Sequence, residues 1–195
     1  ELVCTVSEEV GMEGASSIDV SMLKGKKLLN MDSEEEGIML ASCAGGCSSR
    51  VTLKLDKNKV TGTKLSITLS GLTGGHSGVE IDKGRGNANV LMSRILRDVI
   101  TDNNVYLAAF NGGRKDNAIP RECMAEIIVA VDKTAEVKAA IENAAKEIKE
   151  EFATSDADLK CVVDISEGCS TEAVTYEDST RAVSLIQALP NGIMR

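Results

Sequence analysis

Two adjacent carboxylates, Glu8 and Glu9, close the run Cys4-Thr5-Val6-Ser7-Glu8-Glu9, and a third, Asp32, closes a run of similar plan, Lys26-Lys27-Leu28-Leu29-Asn30-Met31-Asp32. Adjacent carboxylates on one loop can divide labour. One ligates a hard or borderline cation through oxygen, while its neighbour accepts a proton from metal-bound water. Taken alone, such a loop is better explained as a solvated acidic surface. The single histidine, His76, lies in Gly74-Gly75-His76-Ser77-Gly78. Small neighbours keep the backbone thin and the imidazole exposed, which suits a side chain that reaches a substrate and stabilises an oxyanion. A surface histidine in a turn would look the same.

Several other chemistries fail on spacing. A Gly-x-Ser-x-Gly elbow would need glycine where Val79 stands. A Ser-His-Asp triad would have to pair His76 with its own neighbour Ser77, which is poor geometry. Gly84-Arg85-Gly86-Asn87-Ala88-Asn89 resembles a dinucleotide fingerprint, but Asn89 replaces the third glycine and no parallel βαβ unit is expected around it. Cys43 and Cys47 lack a second Cys or His pair to complete a zinc site. Taken singly, the polar stretch 111–121 reads as a hairpin connection and Glu34-Glu35-Glu36 as a solvated charge run.

The elements that must position these residues follow from hydrophobic period. The runs ending at Glu8-Glu9 and at Asp32 predict two acid-tipped strands, with a third at Ile38-Met39-Leu40, and Gly45-Gly46 predicts a linker. Beyond it, Val51, Leu53 and Leu55 alternate as in a half-buried strand. Asp56-Lys57-Asn58-Lys59 supplies turn chemistry, and Leu65, Ile67 and Leu69 alternate again. Ala88, Leu91, Met92, Ile95, Leu96 and Val99 share one face of a helix. Strands are predicted over 105–110, 123–131 and 159–165. Further helices carry Val137, Ile141, Ala144, Ile148 and Phe152, then Ala182, Val183, Ile186 and Leu189, before Pro190-Asn191-Gly192. The order ββαββαβα predicts an α+β fold, with a largely antiparallel sheet and helices on one face.

The chain has 195 residues, 43% of them hydrophobic, with only two Phe, two Tyr and no Trp, so its core must rest on aliphatic side chains. A net charge of -8 argues against a nucleic-acid partner. No apolar run approaches a membrane span, which predicts a soluble protein. The six cysteines suit free thiols in a reducing cytoplasm better than a disulfide framework. Glu1-Leu2-Val3-Cys4 opens inside a predicted strand and the end at Gly192-Ile193-Met194-Arg195 is equally abrupt, so both are expected to be edges within a larger protein.

Taken together, Thr5-Val6-Ser7-Glu8-Glu9-Val10-Gly11-Met12, Leu29-Asn30-Met31-Asp32-Ser33-Glu34-Glu35-Glu36-Gly37, Cys43-Ala44-Gly45-Gly46, Gly74-Gly75-His76-Ser77-Gly78 and Asn117-Ala118-Ile119-Pro120-Arg121-Glu122 occur in one order. The chain closely resembles, over its whole length, the bacterial aminoacyl-histidine (Xaa-His) dipeptidases of the M20 metallopeptidases. The resemblance implies part of an α/β catalytic domain over 1–46 and a smaller lid and dimerisation domain over 47–195. It implies a site with two zinc ions, dipeptide substrates, a homodimer through the lid and a cytoplasmic location. Carried over by motif, Glu8 is the general base, Glu9 a ligand to one zinc, Asp32 a ligand to the other, and His76 the lid's oxyanion donor. Asn117 touches substrate and Arg195 grips its carboxylate. The family's His-x-Asp ligand motif, bridging Asp and carboxy-terminal His ligand have no counterpart in this sequence, so it is expected neither to hold both zinc ions nor to hydrolyse dipeptides by itself. The alternative is a non-catalytic dimerisation or binding module with the lid fold.

Overall fold

The computed structural model describes residues 2–8, 11–29, 36–42 and 45–193. It divides into two compact units, Glu1–Arg50 and Val51–Arg195. In the first unit a five-residue helix, α1 (Glu13–Ser17), precedes a 3₁₀ turn at Val20–Met22, where the Asp19 carboxylate accepts the Ser21 N–H at 2.9 Å. The strands expected here are not formed among the described residues, and Leu2, Leu28, Leu29, Met39 and Leu40 are exposed. Alternation marks a possible strand, but an extended segment needs a neighbour to take its backbone N–H and C=O groups. Among the described residues the carbonyls of Val6 and Ser7 instead accept the Gly14 and Met12 N–H groups, bonds of a turn and not of a strand ladder.

In the second unit the chain runs through β1 (Lys57–Ser70), β2 (Gly75–His76), α2 (Ala88–Asn103), β3 (Tyr106–Gly112), β4 (Ala118–Ile119), β5 (Cys123–Val129), α3 (Thr134–Glu151), β6 (Lys160–Val174) and α4 (Tyr176–Ala188). Four strands form an antiparallel sheet in the order β3-β5-β1-β6, and β2 pairs with β4 in a separate two-residue ladder. The register places Leu65, Ile67 and Leu69 of β1 beside Ile127, Ala125 and Cys123 of β5. With period-two alternation these residues share one face. All six are buried there with Leu91, Ile95 and Leu96 of α2 and Val137, Ile141 and Ile148 of α3. The opposite face carries Lys64, Ser66, Glu126 and the half-exposed Met124 and Val162. The largest fully buried side chains are Leu, Ile and Met, while Phe110, Phe152 and Tyr176 pack at the margin of the core. The expected aliphatic core is what forms, each large side chain contributing roughly 1.5–3 kcal/mol by leaving water.

Local chemistry fixes the helix ends. The Asn87 side chain accepts the N–H groups of Asn89 and Val90 at the start of α2, and Asn104 closes it in the left-handed conformation. Thr175 caps α4 through the Asp178 N–H. In α3 the buried stripe is Val137, Ile141, Ala145 and Ile148, with Ala145 more deeply placed than the expected Ala144.

Two expectations need correction. Residues 51–55 form no strand, and the Asp56-to-Lys59 segment is not a turn: Lys57 to Lys59 lie in β1. The cause is β6, which runs 15 residues and pairs its end, Cys169 to Val174, with Gly62 back to Lys57. That ladder outweighs local turn preference. At the same corner the Asp178 carboxylate accepts the Asp56 N–H at 2.8 Å. The Ser179 hydroxyl accepts the Leu107 N–H at 2.9 Å, tying α4 to β3.

Candidate functional site

The segment 71–87 between β1 and α2 carries His76, and a buried carboxylate holds both its ends. Asp156, fully buried, accepts the Thr73 N–H on Oδ1 and the Gly86 N–H on Oδ2, both at 2.8 Å, with the Ser155 hydroxyl also on Oδ2 at 2.8 Å. Burial pushes this carboxyl up, but the N–H donors of Gly86 and Thr73 and the hydroxyls of Ser155 and Thr73 outweigh it and hold the group below the usual carboxylate range. The Thr73 hydroxyl also donates to the Ser155 carbonyl at 2.7 Å.

Between these anchors, β2 places Gly75 opposite Ile119 and His76 opposite Ala118. The Ser77 N–H donates to the Asn117 carbonyl at 2.9 Å and the Ser77 hydroxyl faces the Asp116 carbonyl at 3.4 Å. The ladder therefore brings His76 and Asn117 together, both exposed. The imidazole folds back over its own turn, and Nδ1 accepts the N–H groups of Gly78 at 3.0 Å and Val79 at 3.2 Å. A side chain at position 78 would meet the ring at 3.2 Å, so glycine lets the ring lie close. With Nδ1 acting as acceptor, the proton of the neutral ring sits on Nε2. The result is a donor not engaged by the turn itself.

Glu80 and Arg85 complete the turn. The Glu80 carboxylate accepts the His76 N–H at 2.9 Å, and that bond, with the Arg85 and Lys83 charges beside it, holds Glu80 below the usual carboxylate range against partial desolvation. Arg85 pairs with Glu80 at 3.0 Å and donates to the Gly74 carbonyl.

A cavity of about 720 Å³ adjoins this turn, with Ser77, Arg85, Asn87, Asn89, Asp116 and Asn191 among its walls. Asn87 caps α2 with its oxygen and donates from Nδ2 to Asn191 at 2.9 Å, which holds the 190–193 segment at the rim. Ile81, Ile119, Phe152, Pro190 and Ile193 add apolar walls, so the lining suits a small ligand with both apolar and polar groups.

The other residues singled out by sequence are placed less fully. Glu8 is exposed in the first unit, and Glu9, Asp32 and Arg195 lie outside the described residues. No three His, Cys, Asp or Glu side chains among the described residues come together as a metal site, so those residues do not by themselves fit a zinc centre. Cys123 and Cys161 have thiols that burial pushes up to about 12 and about 11, with Glu142 adding to the second, so neither is poised as a nucleophile. Sequence reasoning missed Glu80, Arg85 and Asp156. Arg85 was visible only inside a rejected dinucleotide motif, and a His followed four residues later by Glu was the available hint of the first.

Residues 67–156 match the peptidase dimerisation domain of the M20 peptidases. Over 197 aligned positions, which take in 100% of this chain, it is 38% identical to the cytosol non-specific dipeptidase of Escherichia coli strain K12. The structure of an aminoacylhistidine dipeptidase from Vibrio alginolyticus superposes with a TM-score of 0.71 at 28% identity, covering 98% of this chain. The chain spans only 40% and 39% of the lengths of these two relatives. Among the described residues no helix is long and apolar enough to cross a membrane.

Proposed function

We propose that this chain, whose residues 67–156 are an M20-type peptidase dimerisation domain, is the lid-bearing part of a cytoplasmic dipeptidase that hydrolyses Xaa-His and related dipeptides. The observation that carries this reading is the His76 turn. An exposed imidazole has its Nδ1 committed to two backbone N–H groups and its Nε2–H directed away from them, on a turn whose next residue, Ser77, lines a cavity of mixed polar and apolar walls.

In this proposal water attacks the scissile carbonyl, and charge develops on its oxygen. His76 donates its Nε2–H to that oxyanion, a contribution on the order of 3 kcal/mol to the transition state. Asn117 orients the substrate from the neighbouring ladder, and Arg195 binds its carboxylate. Glu8 as general base, with Glu9 and Asp32 as ligands, belongs to a two-zinc centre whose remaining ligands this sequence does not supply. The names of the two relatives support peptide-bond hydrolysis, one pointing to histidine-containing dipeptides and the other to a broad range. Turnover of a dipeptide panel by the longer enzyme tests the reading. Cleavage of Xaa-His among other dipeptides is expected, and activity only on non-peptide amides would contradict it.

The second unit is further proposed to self-associate. It matches a dimerisation domain, and β3 and β6 are the outer strands of its sheet. Light scattering of the purified chain is expected to give twice the mass of a single chain at high concentration. A strictly monomeric mass across the concentration range would contradict this.

A further inference from the structure

We propose that Glu80 and Arg85 are positioning residues for His76, an ion pair that fixes the turn so that the ring keeps Nδ1 on the backbone and presents Nε2–H outward. The proposal rests on the reading of His76 as the lid's oxyanion donor. The two N–H groups on Nδ1 come from residues two and three positions further along, so the tautomer is set by how tightly 76–80 is folded. Glu80 grips His76 from both sides. Its main-chain N–H donates to the His76 carbonyl at 3.2 Å, and its carboxylate accepts the His76 N–H at 2.9 Å. Arg85 holds that carboxylate at 3.0 Å and ties it to the Gly74 carbonyl. The next residue, Gly86, is anchored on buried Asp156. A continuous set of bonds thus runs from the core to the histidine.

Gly75 supports the same point. Its φ of +138° disfavours a side chain, and a Cβ there would lie 2.4 Å from Arg85 Nη1 and 2.6 Å from Glu80 Oε2. The ion pair occupies the space that a side chain would take. Its members are 22% and 35% exposed, so it is less open than a freely solvated surface pair.

The sole histidine makes the test direct, because the nitrogen-15-labelled chain gives one imidazole spin system. At about pH 8.5, where an ordinary imidazole is neutral, long-range proton–nitrogen correlation is expected to show an unprotonated Nδ1 and a protonated Nε2. Glu80→Ala and Arg85→Ala are expected to move the two resonances toward their average. Glu80→Gln, which keeps an acceptor for the His76 N–H, should stay nearer the wild type. Gly75→Ala, which removes neither charge but intrudes on the pair, should reproduce the averaging. A wild-type ring already averaged or protonated on Nδ1 overturns the proposal without any variant. Folded alanine variants with wild-type resonances overturn it as well. In the longer enzyme, Arg85→Ala is expected to lower kcat about tenfold, and an unchanged kcat also contradicts it. The resonances do not depend on hydrolysis, so they stand or fall separately from the dipeptidase reading.

Discussion

Replacing His76 with Ala in the longer enzyme is expected to lower kcat by about a hundredfold or more, the loss typical of one oxyanion donor. Stability should change by less than about 1 kcal/mol. The ring is exposed, and the Gly78 and Val79 N–H groups it satisfies lie at the surface, where water can replace it. Metal content should not change, because the ladder to Ala118 and the Asp156 clamp do not depend on the imidazole. Steady-state kinetics with metal analysis of the same preparation check all three. Full kcat would return His76 to an ordinary surface residue, and loss of metal would tie it to metal binding; either result contradicts the oxyanion role. Glu8→Ala should likewise abolish turnover while leaving the dimer intact, since a general base acts on the reaction and not on the lid.

The largest stability effect is expected at Asp156. Asp156→Ala leaves the buried Gly86 N–H and the Thr73 N–H without their acceptor, at about 3 kcal/mol together. Asp156→Asn should cost about 2 kcal/mol, because its amide can accept only one of the two bonds while its NH₂ opposes the other. The same group shapes the response to acid. Its folded-state pKa lies below its unfolded value of about 3.9, so its contribution is complete well above that value and is lost as pH falls through the folded pKa. Urea titrations at neutral and acid pH should therefore show a smaller acid loss in Asp156→Asn than in the wild type. Equal losses, or a neutral-pH change under about 0.5 kcal/mol, would contradict the clamp.

The second unit was readable where one segment carries its own period. The α2 stripe from Ala88 to Val99 and the alternation of Leu65, Ile67 and Leu69 each face a single buried surface, so local pattern and tertiary burial agree. Long-range partners decided the rest. The true length of β1 depends on β6, and the turn-forming residues before Val60 gave way to that ladder. In the first unit the same alternation misled, because among the described residues no strand pairs with Leu2–Glu8 or Lys26–Leu29. The candidate site divides in the same way. His76 and Asn117 stand out as polar residues in small-residue loops, and the β2–β4 ladder joins them. Asp156 does not stand out. In Thr154-Ser155-Asp156-Ala157-Asp158 it resembles a solvated turn, and its two N–H partners are 83 and 70 residues away in sequence. Asp178 and Ser179 escaped because a helix read by its apolar stripe hides polar residues that hydrogen-bond to the backbone just before β1 and within β3.

The central claim, that His76 acts on the tetrahedral intermediate, is tested most directly by a phosphinic pseudo-dipeptide that mimics it. Its inhibition constant should be compared with substrate KM in wild-type and His76→Ala versions of the longer enzyme. A residue that binds the transition state and not the ground state must weaken the mimic in proportion to the lost rate. Affinity for the mimic is expected to fall by about a hundredfold, in step with kcat, while KM stays within about threefold. Unchanged affinity for the mimic beside a reduced kcat would contradict the account.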